Sequence, residues 1–145
     1  MIFNSKRDTY FKNFMLVVVI ITGAGVFWPL FIEDIRSKLA VVLVFLFLIV
    51  TGFILWTAFS IKYVFYQDYL FVKGGPFRSR IPYENITTVS PTTAIFTGYK
   101  ILSSRDAIEI FYKNATLGSV KISPEYKNEF ILELKKRNPN LQIKQ

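Results

Sequence analysis

The sequence predicts a transmembrane helical hairpin followed by a small antiparallel β domain that one C-terminal helix closes. Two long apolar stretches, residues 14–32 and 39–59, are separated by only six residues. Short β-rich runs divided by turn residues follow from Ile61, and the pattern changes to helical periodicity after Ser123-Pro124. We therefore divide the chain into an N-terminal segment (1–13), the hairpin (14–59) and one domain (61–145).

Both apolar stretches are long enough to cross a bilayer as helices. At about 1.5 Å of rise per residue they reach roughly 28 and 31 Å, close to the hydrocarbon thickness of a membrane. Gly23, Gly25 and Pro29 weaken the first stretch. A cleaved signal peptide still fits poorly, because the apolar run is too long and no small-residue cleavage site precedes a polar start. We expect two uncleaved spans in the cell membrane.

The charges that flank the hairpin predict its orientation. Six basic residues lie before the first span or soon after the second, against two in the connecting loop. Because cytoplasmic flanks are enriched in Lys and Arg, we expect both termini to be cytoplasmic. The six are Lys6, Arg7, Lys12, Lys62, Lys73 and Arg78, and the two are Arg36 and Lys38.

The spans carry no group that a channel or transporter would need, since neither contains Asp, Glu, Lys, Arg or His. Small residues at Thr22, Gly23, Gly25 and Thr51-Gly52 allow close helix approach. They either pack the two arms of the hairpin or form an interface between copies, and the sequence leaves the oligomeric state open.

The domain after the hairpin is predicted to hold six or seven short strands and one helix. Ile61–Tyr66 and Tyr69–Lys73 form a hairpin around Gln67-Asp68. Ser123 is the expected helix cap, Pro124 the first helical residue, and the helix ends near Asn138. The remaining predicted strands are 79–83, 86–90, one near Ile101, 107–112 and 117–122, with Lys121 on the solvent side; the helix buries Tyr126, Phe130, Ile131 and Leu134.

Three segments resemble the YyaB-like bacterial PH domain family: 72–83 (VKGGPFRSRIPY), 86–91, and 122–124 ahead of 130–139 (FILELKKRNP). The resemblance covers about Tyr63 to Ile143. It implies a PH-like fold, which is a bent antiparallel barrel or sandwich with a helix at one end, attached to one or two membrane helices. One stretch departs from the family, because Arg105 and Asp106 stand in reversed order. The family implies no enzymatic activity and no defined ligand.

Composition argues against catalysis. The chain has no histidine and no cysteine, so the usual general base, thiol nucleophile and transition-metal ligands are absent. We predict no catalytic residue, no metal and no cofactor, and treat a lipid-directed enzyme as a distant alternative.

The domain is basic, which favours an anionic partner. From residue 61 it holds 13 Lys and Arg against 7 Asp and Glu, a net charge of +6. Anionic lipid headgroups fit this charge, and no nucleic-acid partner is expected because no reading motif is present. Lys73, Arg78 and Arg80 are the candidate ligand-binding residues, with a spacing that resembles the headgroup-binding spacing of some PH domains. The alternative that they are ordinary solvated charges stays open.

Lys135, Lys136 and Arg137 form a second basic cluster in the last helical turn. Interaction with the helix dipole is sufficient to explain them, and a partner contact is the alternative.

The leading functional hypothesis is a membrane-tethered interaction module at the inner leaflet that binds a protein partner or anionic lipid. The alternative is an envelope-defence or immunity protein against a membrane-active peptide. The small size of the chain, its predicted membrane hairpin and its lack of catalytic residues fit either class of protein.

Overall fold

Two long apolar helices precede the domain in the computed structural model, which describes residues 1–32 and 37–145. They are α1 (Thr9–Phe27) and α3 (Ser37–Phe59), and a short helix α2 (Pro29–Ile32) follows α1. Both long helices have the length and apolar character to cross a membrane. The predicted connecting loop, including Arg36, lies mostly outside the described residues.

The first predicted span differs in its bounds from the helix that forms. α1 begins at Thr9 rather than residue 14, because Asp8 caps it and its carboxylate accepts a hydrogen bond from the Phe11 N–H at 2.8 Å. The helix ends ahead of Pro29, which has no N–H with which to continue the hydrogen-bond ladder.

The small residues of the helical hairpin differ in what surrounds them. α1 packs on α3, and a Cβ added to Gly23 would lie 3.4 Å from the Phe47 ring. Gly23 therefore serves packing between the arms. Gly25 and Gly52 have no described atom within 4 Å of an added Cβ, so packing inside this hairpin does not explain them.

The domain contains two sheets, in keeping with the barrel or sandwich that the family resemblance implies. One has the strand order β1-β2-β3-β4 and is antiparallel throughout; the other has the order β6-β8-β7-β5-β9 and is mostly antiparallel. The strands are β1 (Ile2–Asn4), β2 (Lys62–Phe65), β3 (Tyr69–Gly74), β4 (Phe77–Pro82), β5 (Ile86–Thr92), β6 (Lys100–Ile101), β7 (Ala107–Tyr112), β8 (Ser119–Ile122) and β9 (Gln142–Ile143). All seven predicted strands are present, and β1 and β9 are additional.

Strand β1 makes the N-terminal segment part of the domain. It pairs with β2, opposing Phe3 to Tyr63. The Phe3 side chain is 5% exposed, and its ring lies 5.5 Å from that of Phe65. Residues 1–13 lie outside the domain predicted from the sequence, because three residues ahead of a helix are too few to show strand alternation.

The C-terminal helix α4 (Lys127–Arg137) starts later than predicted. Ser123 and Pro124 are buried ahead of it, and Pro124 bridges to Ser5. Ser123 cannot cap the helix because its hydroxyl belongs to a buried polar cluster described below. Phe130 and Leu134 fill the core as expected, whereas Tyr126 is 58% exposed because it precedes the helix.

Candidate functional site

The predicted basic residues lie on the outward face of the first sheet. Lys73 and Arg78 are directly opposite one another on β3 and β4, and Arg80 is opposite Phe71. The alternate residues Leu70, Val72 and Ile81 fill the core. Since alternate residues of a strand point to opposite faces, the three basic side chains project away from the core.

A fourth basic residue completes the face. Lys62 on β2 is directly opposite Lys73, so Lys62, Lys73 and Arg78 form one row across three neighbouring strands. We call these three residues together with Arg80 the basic face. From the sequence alone, Lys62 is only one of the charges that flank the second span. The two-residue turn at Gln67-Asp68 was the available signal, because a hairpin turn of known length fixes which residues are paired.

No acidic partner neutralises the basic face within the described parts of the chain. Its residues take part in none of the three salt bridges found there. Lys62, Arg78 and Arg80 are exposed, and Lys73 is half-buried. The face therefore presents unpaired positive charge.

Aromatic side chains lie beside these charges. The Arg80 guanidinium is 5.7 Å from the centre of the Tyr69 ring. Tyr66 stacks on Tyr69, with 5.0 Å between ring centres, and meets Phe71 edge to face. The aromatic residues of β2, β3 and the turn between them therefore divide between the two faces of the sheet. Tyr63 and Phe65 enter the core, and Tyr66, Tyr69 and Phe71 point outward.

The row of the basic face lies at the end of the sheet nearest the long helices. Lys73 and Arg78 flank the turn between β3 and β4, and this turn contacts the last turns of α3. The Gly75 N–H donates to the Ser60 hydroxyl at 2.8 Å. A Cβ added to Gly75, which has φ +57°, would come within 2.7–3.0 Å of Thr57 atoms. The close contact with α3 explains why a side chain is excluded at Gly75.

The second predicted cluster is largely occupied by contacts inside the domain. The Arg137 side chain pairs with Glu133 at 2.9 Å and donates to the Tyr66 carbonyl at 2.8 Å. The Lys135 ammonium, in the last turn of α4, donates to the carbonyl of Leu141, which follows the helix. Only Lys136 is exposed without such a contact in the described chain. A partner contact through residues 135–137 stays a prediction, and the geometry favours a structural role for two of them.

A buried hydroxyl cluster fastens the N-terminal segment to the domain. The Tyr63 hydroxyl donates to the Ile101 carbonyl at 2.7 Å and accepts from the Ser123 N–H at 3.1 Å. The Ser5 Oγ lies 3.1 Å from that hydroxyl and 2.6 Å from the Ser103 Oγ. Burial raises the pKa of Tyr63 to about 12, so its hydroxyl stays neutral and able to donate.

Asp8 connects the start of α1 to the loop between β6 and β7. Its carboxylate accepts hydrogen bonds from the Ser104 hydroxyl at 2.9 Å and the Arg105 N–H at 3.0 Å, in addition to the cap on Phe11. Burial raises the pKa of Asp8, but these three hydrogen bonds and the nearby charge of Lys6 together outweigh it and lower the pKa below its ordinary value. Ionised Asp8 is therefore the form that this junction stabilises.

Asp106 extends the same junction at the surface. Its carboxylate contacts the Lys127 ammonium and, at 3.0 Å, that of Lys6. The hydrogen bond from Lys127 and then that from Lys6 lower the pKa of Asp106. The stretch that departs from the family pattern thus has a definite role, since its Ser104, Arg105 and Asp106 all hold the N-terminal segment.

Lys121 occupies an unexpected position. It was predicted on the solvent side of β8, yet it is 5% exposed. Its ammonium donates to the Ala94 carbonyl at 2.6 Å and the Thr97 carbonyl at 2.8 Å. The lysine is buried because it supplies donors to a loop whose carbonyl groups have no strand partner, and it thereby fixes residues 94–97.

Two sheets and a helix that buries Phe130 and Leu134 in the core define a PH-like domain, which follows two apolar helices. The chain belongs to the bacterial PH domain family, whose model matches residues 61–138. It is also similar to "Uncharacterized protein YyaB" of Bacillus subtilis (strain 168), with 31% identity over 143 residues that cover 99% of this chain and 97% of that protein. The similarity to YyaB therefore includes the two long apolar helices, which lie outside the matched domain. The resemblance drawn from the sequence is confirmed.

Proposed function

We propose that this protein is a membrane-anchored PH-like binding module. In this proposal α1 and α3 cross the cell membrane and hold the domain at the cytoplasmic surface, where the basic face binds anionic lipid headgroups. Family membership suggests a binding role rather than catalysis. The observation that carries the proposal is the row Lys62, Lys73 and Arg78 on neighbouring strands.

The row is energetically unfavourable for the isolated domain. Like charges directly opposite one another destabilise a sheet, and Lys73 is opposite a basic residue on both sides. An anionic surface offsets this repulsion, with about 1 kcal/mol of attraction for each basic residue close to the bilayer. We infer that the arrangement serves an external anion, because no carboxylate of the described chain is paired with it.

The position of the row supports the same partner. Lys62 is the third residue after the end of α3, and the β3–β4 turn beside Lys73 and Arg78 touches that helix. If α3 leaves the bilayer near Trp56 and Phe59, the row lies at headgroup level. The outward aromatic rings beside it suit the same interface, where amphipathic rings are enriched.

The pairing of β1 with β2 supports the hairpin topology. Both ends of the helical pair join one sheet, so α1 and α3 leave the domain on the same side. The excess of basic residues at these ends favours the cytoplasm. A protein partner at the basic face is the competing outcome, and no described contact favours the defence hypothesis over a binding module.

The proposal is tested with the full chain in nanodiscs. Because the chain has no cysteine, Asn4→Cys gives one labelling site on β1 beside Lys62. An environment-sensitive fluorophore there should report closer lipid contact when phosphatidylglycerol is added to phosphatidylcholine, and raised salt should reverse the change.

The triple variant K62Q/K73Q/R78Q should abolish the response, with a loss of roughly 3 kcal/mol of attraction. K62Q/K73Q should already weaken the response, whereas its matched control K113Q/K144Q, which removes the same charge from exposed positions elsewhere, should retain it. Equal responses from these two double variants, or none from the parent protein, would exclude headgroup binding by the basic face.

A further inference from the structure

An apolar cavity of about 400 Å³ lies where the long helices meet the domain. Its walls come from the first turns of α1, the last turns of α3, the ends of β4 and β6, and the loop that Lys121 fixes. The lining is almost entirely apolar and includes Tyr10, Phe14, Ala58, Phe77, Phe96 and Ile101. Its volume falls within the range of small-molecule sites, about 300–1,000 Å³. The basic face is not part of this lining.

The cavity carries positive charge at its edge. Lys100 belongs to the lining, and its ammonium lies 5.9 Å from the centre of the Phe96 ring. The Arg105 guanidinium lies 4.7 Å from the centre of the Tyr10 ring. Neither cation takes part in a salt bridge of the described residues. An apolar slot with unpaired cations beside it matches an anionic amphiphile.

The size and position of the cavity limit which molecules can occupy it. One turn of a helix about 10 Å wide and 5.4 Å tall would already fill the volume, which leaves no room for a docked helix. An extended acyl chain is slender enough to enter. Large aromatic side chains such as Phe77 and Phe96, 53% and 62% exposed, stand at the junction where the proposed function places the membrane surface.

We propose that this cavity binds one acyl chain of an anionic phospholipid from the inner leaflet, whose phosphate lies between Lys100 and Arg105. This inference rests on the proposed membrane anchoring but not on the basic face. The bound lipid completes the junction, because its chain fills space that the protein leaves empty between the helices and the domain.

Native mass spectrometry of the full-length protein in mild detergent tests the inference. We expect one phosphatidylglycerol to stay bound under conditions that remove phosphatidylcholine. K100Q and R105Q should each lower retention about fivefold, and Ala58→Trp, which fills the cavity, should lower it by about tenfold or more. Val42→Trp, on an exposed part of α3, and K113Q are the matched controls and should leave retention unchanged.

Phe96→Ser provides a second variant if Ala58→Trp does not fold, because Phe96 is exposed on a loop and should also weaken retention. Equal retention of the two phospholipids, or full retention by the cavity variants, would overturn the inference. Retention of oleate in place of phospholipid would overturn the assignment of the bound acyl chain to a phospholipid.

The basic-face variant K62Q/K73Q/R78Q should retain the lipid. The two proposals can therefore fail separately. The fluorescence response in nanodiscs measures headgroup binding by the basic face, whereas lipid retention in detergent measures binding in the cavity.

Discussion

Phe3 and Phe130 meet edge to face with 5.3 Å between their ring centres. The first strand of the chain and its last helix thus share one core, although the two long apolar helices lie between them in sequence. A substitution at Phe3 therefore acts on the packing around α4.

Phe3→Ala should lower the free energy of unfolding by about 3–5 kcal/mol, because it leaves a cavity between β1 and α4. Ile2→Ala, at the adjacent and 64% exposed position, should change it by less than about 0.5 kcal/mol. Denaturant unfolding of the full chain in detergent measures both. Equal effects of the two variants would show that β1 is not docked as described.

Tyr63→Phe should cost about 1–3 kcal/mol, because the Ile101 carbonyl and the Ser123 N–H lose their buried partner. Tyr126→Phe removes the same hydroxyl from an exposed residue and should have little effect. Hydrogen exchange at residues 2–5 should accelerate only in the first variant. Unchanged exchange in Tyr63→Phe would separate the hydroxyl cluster from docking of the N-terminal segment.

Gly75→Ala and Gly118→Ala distinguish backbone conformation from close packing. Both glycines have positive φ, +57° and +83°, but only an added Cβ at Gly75 would strike the Thr57 atoms of α3. Gly118→Ala should cost about 1–2 kcal/mol from conformation alone. Gly75→Ala should cost more, and thermal unfolding should rank them in that order. The reverse order would mean that the turn does not rest on α3.

The junction of Asp8 and Asp106 should make stability depend on pH. Since the pKa of each carboxyl is lowered on folding, its contribution is fully present above the ordinary value of 3.8 and is lost as pH falls through the lowered value. The destabilisation of D8N/D106N should therefore be largest near neutral pH and vanish in acid. The two exposed ion pairs of Asp106, with Lys6 and with Lys127, should each contribute only about 0.2–1 kcal/mol to the free energy of unfolding.

Unfolding at a series of pH values measures this effect. Asp68→Asn is the control, because this exposed carboxylate makes no salt bridge within the described ranges. A pH-independent difference between the double variant and the parent protein would contradict the prediction.

The proposed topology places Gln145 in the cytoplasm and Ser37 outside. In whole cells, a membrane-impermeant maleimide should label Ser37→Cys but label Gln145→Cys only after lysis, and the chain has no native cysteine to interfere. Labelling of Gln145→Cys in intact cells would contradict the orientation. Release of the protein by carbonate would contradict membrane insertion itself.

Local patterns were sufficient for much of the fold. The hydropathy of residues 39–59 predicted α3 closely, and the alternation around Ile108 and Ile110 predicted β7. The predicted start of α4 was wrong, because Ser123 and Pro124 look like a helix start but are buried against Ser5. A capping motif is local, whereas the competing partner lies 118 positions away.

In the candidate site, too, local patterns predicted some features and contacts between distant segments decided the others. Alternation placed Arg78 and Arg80 on one side of a strand, but the addition of Lys62 depends on the register between strands. The cavity was beyond sequence reasoning altogether, because its walls come from α1, α3 and the loop around Phe96, which are distant in the chain.

By itself, the amino-acid sequence determined the apolar helices, the positions of the main strands along the chain, the positive charge and the family, because each depends on composition or on spacing between near neighbours. Only the tertiary structure decided that residues 2–4 complete a sheet, that Lys121 is buried, and that four basic side chains share one face. These features depend on pairing and packing between segments remote in the chain, which local periodicity does not encode.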